Sequence, residues 1–553
     1  MTDARTASSD GGLLGLAQSI ATASQSITEV GTWWLMSAVL LVGVGCIIGQ
    51  ASSLRTERGS DRGLLIAGLL FVGALLVRAL LPPWTHYTYN DEYLYLRYAH
   101  ELGESGTFSF ENQPPLLIYL YALAFRGFSA SAQTTSAITS IAGSLTVAAL
   151  YGCLRSLRVD RTVAVLAAAL LAVHPLHVKH SGASSLEVMS LLFLVASVGT
   201  FARWLRTNGT LSLLSFAVCL FGALTTRIEN FALVPIFGGL ALVGLEDQRR
   251  PTLYEFSMLG LVVLTAGLYL PSVLLFHGDQ AGWWKSELSA VALLANNLKF
   301  WIGGGLSVGK LPFLLLAGGV VGSWRTSRTA CVTWLVLLFT YSAIYVVHGA
   351  NLGYHHESTH PPYFAARASG HDMFRFNVPL LPAIVFFLAS GIVSWVSLID
   401  STLRKITART APAVSVAILI LAGAVLLGAS GEYAAYDPAG FIGSAYNRPI
   451  ERAEFEFLET ELRSAPRPVR CYMLPASTEP FLRDGIEIVA VNHADEISVD
   501  GMSSFFYVNS AQLMNPRLRT AFDQVRRKFS LDPVAKTAAG PLELELFRLR
   551  SRG

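Results

Sequence analysis

Charge is scarce in this sequence. Only 14% of its 553 residues are Asp, Glu, Lys or Arg, against about a quarter in an ordinary soluble chain. The hydrophobic share is 52% and the mean hydropathy +0.47, which excludes a water-soluble globular protein. With a formal net charge of only +3 there is no global basic field, so nucleic acid is not an expected partner. Cysteine is scarce as well. Cys46, Cys219 and Cys331 fall inside apolar runs and Cys153 near the end of one, where a thiol behaves as a small hydrophobe; only Cys471 lies in a polar region. The absence of C-x-x-C or Cys/His spacing excludes a zinc site of that kind and a disulfide framework. No repeat of 20–50 residues is evident. Residues 1–32 lack a basic start followed directly by an apolar core, so they read as a polar tail rather than a cleaved leader.

What the chain does have is long apolar runs. A membrane-crossing helix needs roughly 20 mostly apolar residues. Twelve candidates stand out, at 33–49, 64–82, 133–154, 162–178, 186–204, 211–225, 229–245, 256–276, 311–324, 329–347, 376–397 and 412–429. Pro114 to Phe128 is also apolar, but Pro114-Pro115 opens it and Arg126 closes it, which suits a helix lying at the interface. The tail from 430 changes character. Helical stretches (Ile450 to Arg463, Asn515 to Phe529) alternate with short β-rich runs at Val469 to Leu474, Glu487 to Val491, Ser504 to Asn509 and Leu542 to Leu549. The expected architecture is a polytopic α-helical membrane protein: a polar tail at 1–32, a transmembrane domain at 33–429 and a small α/β domain at 430–553.

Arginine and lysine fall in every second loop: Arg55, Arg58 and Arg62; Arg155, Arg158 and Arg161; Arg203 and Arg206; Arg249 and Arg250; Arg325 and Arg328; Arg404, Lys405 and Arg409. Such turns face the cytoplasm. The long loops and their unusual polar residues then share the opposite side, together with the C-terminal domain and the N-terminal tail.

Four constellations on that side can carry chemistry. Asp91 and Glu92 are adjacent carboxylates in Tyr87–Glu101, just beyond a span that ends at Pro82-Pro83. Ionisable groups at that depth are functional-site hypotheses, with an interfacial tyrosine helix and solvated carboxylates as the alternative. If helical, the stretch turns the two carboxylates about 100° apart, so only one can face a cavity. The second constellation, His174 to Glu187, holds His174, His177, Lys179, His180 and Glu187. Lys179 and His180 can hold a phosphate and Glu187 a hydroxyl, or the group snorkels and caps the next helix. Third, Arg227 and Glu229 in a tight hairpin either pair with each other or line a site. The fourth lies in 351–375, where Arg367 and Arg375 suit phosphate bidentately. There His355, His356, Glu357 and His360 can bind a divalent ion, with plain surface decoration as the alternative. Gly304 to Lys310 imitates a phosphate-binding loop, but Leu311 stands where Ser or Thr should hold Mg²⁺ and no strand precedes it.

In this order and on this side, the acidic pair, the Pro-Pro interfacial helix, the His-Pro turn and an Arg before Pro379-Leu380-Leu381-Pro382 resemble the GT-C glycosyltransferases. The likeness is to the bacterial relatives of protein O-mannosyltransferases and of the lipid A aminoarabinose transferase, over roughly residues 64–430. It implies Asp91 as catalytic base with Glu92 its acidic neighbour, and Glu187 near a second acidic position. Some relatives carry a phosphate-binding Lys before Pro-Pro where this chain has Gln113, so the resemblance leaves phosphate to Lys179, Arg367 or Arg375. The span at 33–49 also departs from the family's usual start. The implied activity is transfer of a sugar from a polyprenyl-phosphate donor to a hydroxyl of a protein, lipid or glycan acceptor at the outer face, with inversion. It requires no cofactor; a divalent metal remains open. The alternative is a lipid or anion transporter, which would favour inverted repeats with broken spans near the midplane.

Overall fold

The computed structural model describes residues 62–80, 90–105, 115–128, 130, 132–207, 209–243, 250–270, 310–347, 375–406, 457–458, 460–474, 486–491, 493–499, 503–510, 513, 516–539 and 542–552. The expected spans at 33–49 and 412–429 and the imitation phosphate loop before Lys310 lie outside these residues.

The membrane part is a bundle. Its helices are α1 (Arg62–Leu80), α2 (Asn90–Ser105), α3 (Pro115–Gly127), α4 (Ala132–Ser156), α5 (Arg161–Val173), α6 (Pro175–Ser181), α7 (Leu186–Thr207) and α8 (Thr210–Leu224). After a 3₁₀ turn (Ile228–Ala232) follow α9 (Leu233–Val243), α10 (Leu253–Ala266), α11 (Lys310–Thr326) and α12 (Arg328–Val347). A second 3₁₀ turn (Arg375–Leu380) leads into α13 (Leu381–Ile406). Among the described residues, four helical segments are long and apolar enough to cross a bilayer: Gly63–Leu80, Thr134–Ser156, Leu186–Thr207 and Val378–Leu398. The sequence expectation of one span over 162–178 needs correcting. The helix stops at Val173 and Pro175, which cannot donate to the turn before it, opens the separate short helix α6.

Local chemistry sets these boundaries. Asp160 caps α5 by accepting from the Thr162 amide at 2.7 Å. At α10, Thr252 and Glu255 form a reciprocal capping box, and Glu255 also accepts from the Trp204 indole at 3.0 Å. The end of α4 closes with Val159 N–H on the Leu154 carbonyl and Arg158 N–H on that of Arg155, a Schellman motif. Its left-handed position, φ 60°, is filled by Arg158 where glycine would be relaxed.

Helices in the core sit close. α7 is buried along almost its whole length, from Leu186 to Leu205. α11 and α13 touch backbone to backbone: a Cβ on Gly319 would lie 1.8 Å from the Phe387 carbonyl oxygen, and one on Gly391 2.0 Å from that of Leu315. Without a hydrophobic force between helices in lipid, this small-residue packing is what lets them gain van der Waals contact.

The C-terminal residues form a five-stranded sheet in the order β2-β1-β3-β5-β4. Here β1 is Val469–Met473, β2 Ile486–Ala490, β3 Ser503–Asn509, β4 Phe529–Ala539 and β5 Leu542–Ser551. β1 pairs parallel to both β2 and β3, while β5 runs antiparallel to β3 and β4. Side-chain alternation gives the sheet two buried faces. Val469, Cys471, Met473, Phe505 and Tyr507 pack with Phe457, Leu458 and Leu462 on one. Tyr472, Phe506 and Val508 pack on the other against Phe522 and Val525 of α14 (Pro516–Lys528). β4 was not expected from sequence, because Asp532, Pro533 and Lys536 interrupt its β pattern. Proline is tolerated because β4 is an edge strand with a register irregularity between Pro533 and Ala535.

Candidate functional site

Two turns far apart in sequence meet at one end of the bundle. α7 starts with Glu187 in its first turn, and the hairpin after α8 presents Arg227 in extended backbone. Arg227 Nη1 donates to Glu187 Oε1 at 2.9 Å. Its other edge forks onto Glu229, Nη2 to Oε1 at 2.7 Å and Nε to Oε2 at 3.2 Å. The side chains are 7%, 2% and 11% exposed for Arg227, Glu187 and Glu229. One guanidinium thus serves two carboxylates, and with all three charged the group carries net −1.

The hairpin is anchored below this triad. Asn230 donates to Ser190 Oγ at 2.8 Å and to the Ala223 carbonyl at 2.7 Å, and it accepts from the Tyr341 hydroxyl at 2.5 Å. It therefore ties α7, the end of α8 and α12 together, and every polar atom of the amide is used well inside the bundle. Asn230 and Tyr341 were not singled out by sequence reasoning, and nothing in their local pattern marks them.

The His174–Glu187 segment wraps the same end. Ser185 Oγ donates to Glu187 Oε2 at 2.5 Å, so its oxygen is left to accept from His180 Nδ1 at 3.3 Å. His180 is buried, 1% exposed, and is linked to Glu187 through that serine. His177 meets a residue that sequence reasoning passed over, Arg78 of α1, whose Nη2 lies 2.8 Å from His177 Nδ1. A guanidinium can only donate, so Nδ1 accepts and the imidazole proton sits on Nε2; the Leu171 carbonyl 3.1 Å from Nδ1 is then a neighbour, not a partner. Arg78 had a usable signal, since an arginine inside an apolar span marks a functional hypothesis. One face of α4 cradles the segment: Thr135 Oγ1 bonds Ser184 Oγ at 2.6 Å, Thr139 Oγ1 the Ala183 carbonyl at 2.7 Å and Ser140 Oγ that of Ser181 at 2.9 Å. Gly143 completes that face, where a Cβ would sit 2.2 Å from Ser181 Oγ.

The remaining candidates are placed by backbone. Lys179 lies in α6, between His177 and His180. Arg375 opens the 3₁₀ turn Arg375–Leu380, which packs against α6, α7 and α12 and so joins the same end. Asp91 and Glu92 occupy the first turn of α2. That helix packs on α3, with Tyr95, Leu96, Ala99 and Leu102 buried, and α3 reaches the hairpin where the Leu116 amide donates to the Thr225 carbonyl at 3.2 Å. Arg367, His355, His356, Glu357 and His360 lie outside the described residues. No group of three or more His, Cys, Asp or Glu able to hold a metal occurs among the described residues.

The turns expected on the cytoplasmic side group together at a different place. Ser156–Arg158, Ala202 with Arg206, and Trp324–Thr329 line a single cavity of about 310 Å³. Glu187 and Arg206 stand at opposite ends of α7, about 28 Å apart at 1.5 Å per residue.

Residues 105–274 match the family model of dolichyl-phosphate-mannose-protein mannosyltransferases. That segment contains α3 to α10 and with them Lys179, His180, Glu187, Arg227 and Glu229. In three dimensions the chain is similar to ArnT from Cupriavidus metallidurans bound to undecaprenyl phosphate, with TM-score 0.54 at 13% identity over 88% of this chain and 98% of that one. The apo state of that protein gives TM-score 0.54 at 13% identity, over 87% and 97% of the two chains. The apo oligosaccharyltransferase of Archaeoglobus fulgidus gives TM-score 0.50 at 14% identity, over 85% of this chain and 73% of that one. No curated protein matches in sequence.

Proposed function

Since the chain has the GT-C glycosyltransferase fold and carries a mannosyltransferase-family segment, we propose that it is an integral membrane transferase using a polyprenyl-phosphate sugar. It moves the sugar, with inversion, to a hydroxyl of a protein, lipid or glycan acceptor at the outer face of a bacterial inner membrane. The observation that carries this reading is convergence. Glu187, Arg227, Glu229 and His180 are connected by hydrogen bonds at one end of the bundle, and the turn bearing Arg375 packs against the same helices. In this reading twelve spans cross the bilayer, and residues 430–553 lie on the same side as the site.

The division of labour follows from charge. Arg227 is neutralised by its two carboxylates, so phosphate recognition falls to Lys179, Arg375 and Arg367. The triad instead holds the α7 and hairpin turns in register and offers carboxylate edges to sugar or acceptor hydroxyls. Asp91 takes the proton of the acceptor hydroxyl, whose oxygen bonds to the anomeric carbon as the bond from that carbon to the phosphate oxygen breaks. Cations already in place offset the charge gathering on the departing polyprenyl phosphate, the type of preorganisation that dominates most enzymatic rate enhancements. The lipid carrier is itself the activated group, so no nucleotide or redox cofactor enters.

The test supplies purified protein with a panel of polyprenyl-phosphate sugars and follows their consumption by mass spectrometry. Asp91→Asn is expected to abolish transfer while the protein stays inserted and folded. Turnover by that variant at the wild-type rate would remove the catalytic assignment, and a wild-type protein that consumes no lipid-linked sugar would remove the transferase reading itself.

A further inference from the structure

His177 has no part in the division of labour above, although it stands in α6 between His174 and His180. Its side chain is fully buried, 0% exposed, and Arg78 beside it is 3% exposed. The tautomer follows from that pair. A guanidinium has no lone pair to offer, so Nδ1, 2.8 Å from Arg78 Nη2, accepts and the ring's proton sits on Nε2. A ring in that state is a donor at Nε2 and nothing else.

Several contacts fix where the ring stands. Arg78 Nη1 donates to the carbonyls of Ala74 at 2.8 Å and Ala172 at 3.4 Å. The Ser181 hydroxyl donates to the His177 carbonyl, and the Val178 amide to that of His174 at 2.9 Å, so α6 is pinned on both sides of the ring. Gly143 of α4 permits this approach, since a Cβ there would lie 2.2 Å from Ser181 Oγ and 3.1 Å from Arg78 Nε. Nε2 is the exception. It is buried, and among the described residues it meets no acceptor. Buried donors that the protein does not match keep their desolvation penalty, and native structures hold few of them.

Contacts that immobilise an imidazole while leaving its proton for another molecule are what a binding donor requires. The atom it suits carries no proton of its own. A hydroxyl can serve as either partner, whereas an ionised phosphate oxygen only accepts and makes the stronger bond. The placement agrees. Lys179 follows two positions later in the same helix, and the Arg375–Leu380 turn packs against it. We propose that His177 Nε2–H donates to a phosphate oxygen of the polyprenyl-phosphate donor and so positions the leaving group. This role rests on the transferase reading and adds to it a neutral donor beside the cations. Neighbouring residues screen Nε2 from water, so a bound phosphate takes this bond without competition.

The full-length protein, carrying isotope-labelled histidine in an uncharged detergent, is followed by NMR while polyprenyl phosphate or inorganic phosphate is added. The His177 signals are assigned by their loss in His177→Gln. The expected result is a wild-type ring protonated at Nε2, with that proton moving downfield as polyprenyl phosphate binds. Affinities come from native mass spectrometry. His177→Phe keeps a flat ring without nitrogens and should lose on the order of 10- to 100-fold, the range for a hydrogen bond to a charged group. His177→Gln, whose amide accepts from Arg78 and still donates, should recover most of that loss. The same shift with inorganic phosphate alone supports the site with free phosphate as its ligand. Three results overturn the proposal: a proton on Nδ1, an Nε2–H that stays on a resident water at saturating polyprenyl phosphate, or wild-type affinity in His177→Phe. If such a protein still consumes lipid-linked sugar, the transferase reading stands without this role. A wild type that neither binds polyprenyl phosphate nor consumes the sugar removes both.

Discussion

Replacing Arg227 with methionine tests the buried triad at its centre. The guanidinium donates one hydrogen bond to Glu187 and two to Glu229, and all three side chains are at least 89% buried. Methionine fills much of the same volume but takes away the guanidinium that both carboxylates share. Breaking a buried ion pair from one side costs about 3–5 kcal/mol, because the abandoned charge keeps its desolvation penalty. Lysine keeps the charge but not the fork, so Arg227→Lys should lose less, about 1.5–3 kcal/mol for a charged hydrogen bond. The informative arm is the combined variant Glu187→Leu, Arg227→Met, Glu229→Leu, which removes every charge at once. Apolar replacement of a whole buried ion cluster is often neutral or stabilising, so this variant should recover most of what Arg227→Met loses while transferring no sugar. Unfolding would be followed by tryptophan fluorescence in mixed micelles as a function of denaturing detergent. If Arg227→Met unfolds within about 0.5 kcal/mol of the wild type, the side chain is not relieving a buried charge. If the combined variant is no more stable than Arg227→Met alone, the loss has some other origin.

Two further outcomes follow from packing and burial. Gly319→Leu puts a branched side chain where even a Cβ would be 1.8 Å from the Phe387 carbonyl oxygen. Because backbone rather than a side chain stands in the way, the loss should reach or exceed the upper end of the roughly 1–3 kcal/mol range for overpacking, and Gly238→Leu, whose Cβ meets nothing within 4 Å, serves as control. Comparable folded yields of the two variants would contradict the backbone contact between α11 and α13. For Cys471, burial raises the thiol from 9.0 to about 12. A variant with Cys471 as its only cysteine should resist maleimide at pH 8 and label promptly once the sheet unfolds. Its raised folded-state value also means that this thiol's contribution to stability is intact below pH 9.0 and fades toward pH 12. Rapid labelling of the native protein would show that the strand is not in the core.

How much of this arrangement can be read from the chain depends on how local each signal is. Apolar runs dictate helices wherever they occur, so α4, α7 and α12 begin and end within a few residues of the expected positions. Strands that are short continuous apolar runs buried on both faces, such as Ser503–Asn509, were equally legible. β4 was not, because its side chains answer to a neighbouring strand rather than to a buried face on both sides. Pro175 was visible in the sequence, yet its effect on the run 162–178 was overridden by hydropathy, and the backbone restriction proved stronger. The triad shows the other limit. Glu187 and Arg227 are each conspicuous as ions beside apolar helices, but their pairing depends on α7 and α8 returning to the same end, a consequence of antiparallel packing rather than of any motif. Asn230 and Tyr341 are legible only afterwards. An amide with all its bonds made inside the bundle is recognisable from its partners, 7 positions away at Ala223, 40 away at Ser190 and 111 away at Tyr341. Arg78 is the contrary case: it breaks an apolar run, as Asp91 and Glu92 do at the edge of one, and the same argument about the cost of charge in lipid should be applied to it first. Its donation to His177 fixes that imidazole's proton on Nε2. The donor atom of His177 is thus set by a residue about a hundred positions earlier in the chain.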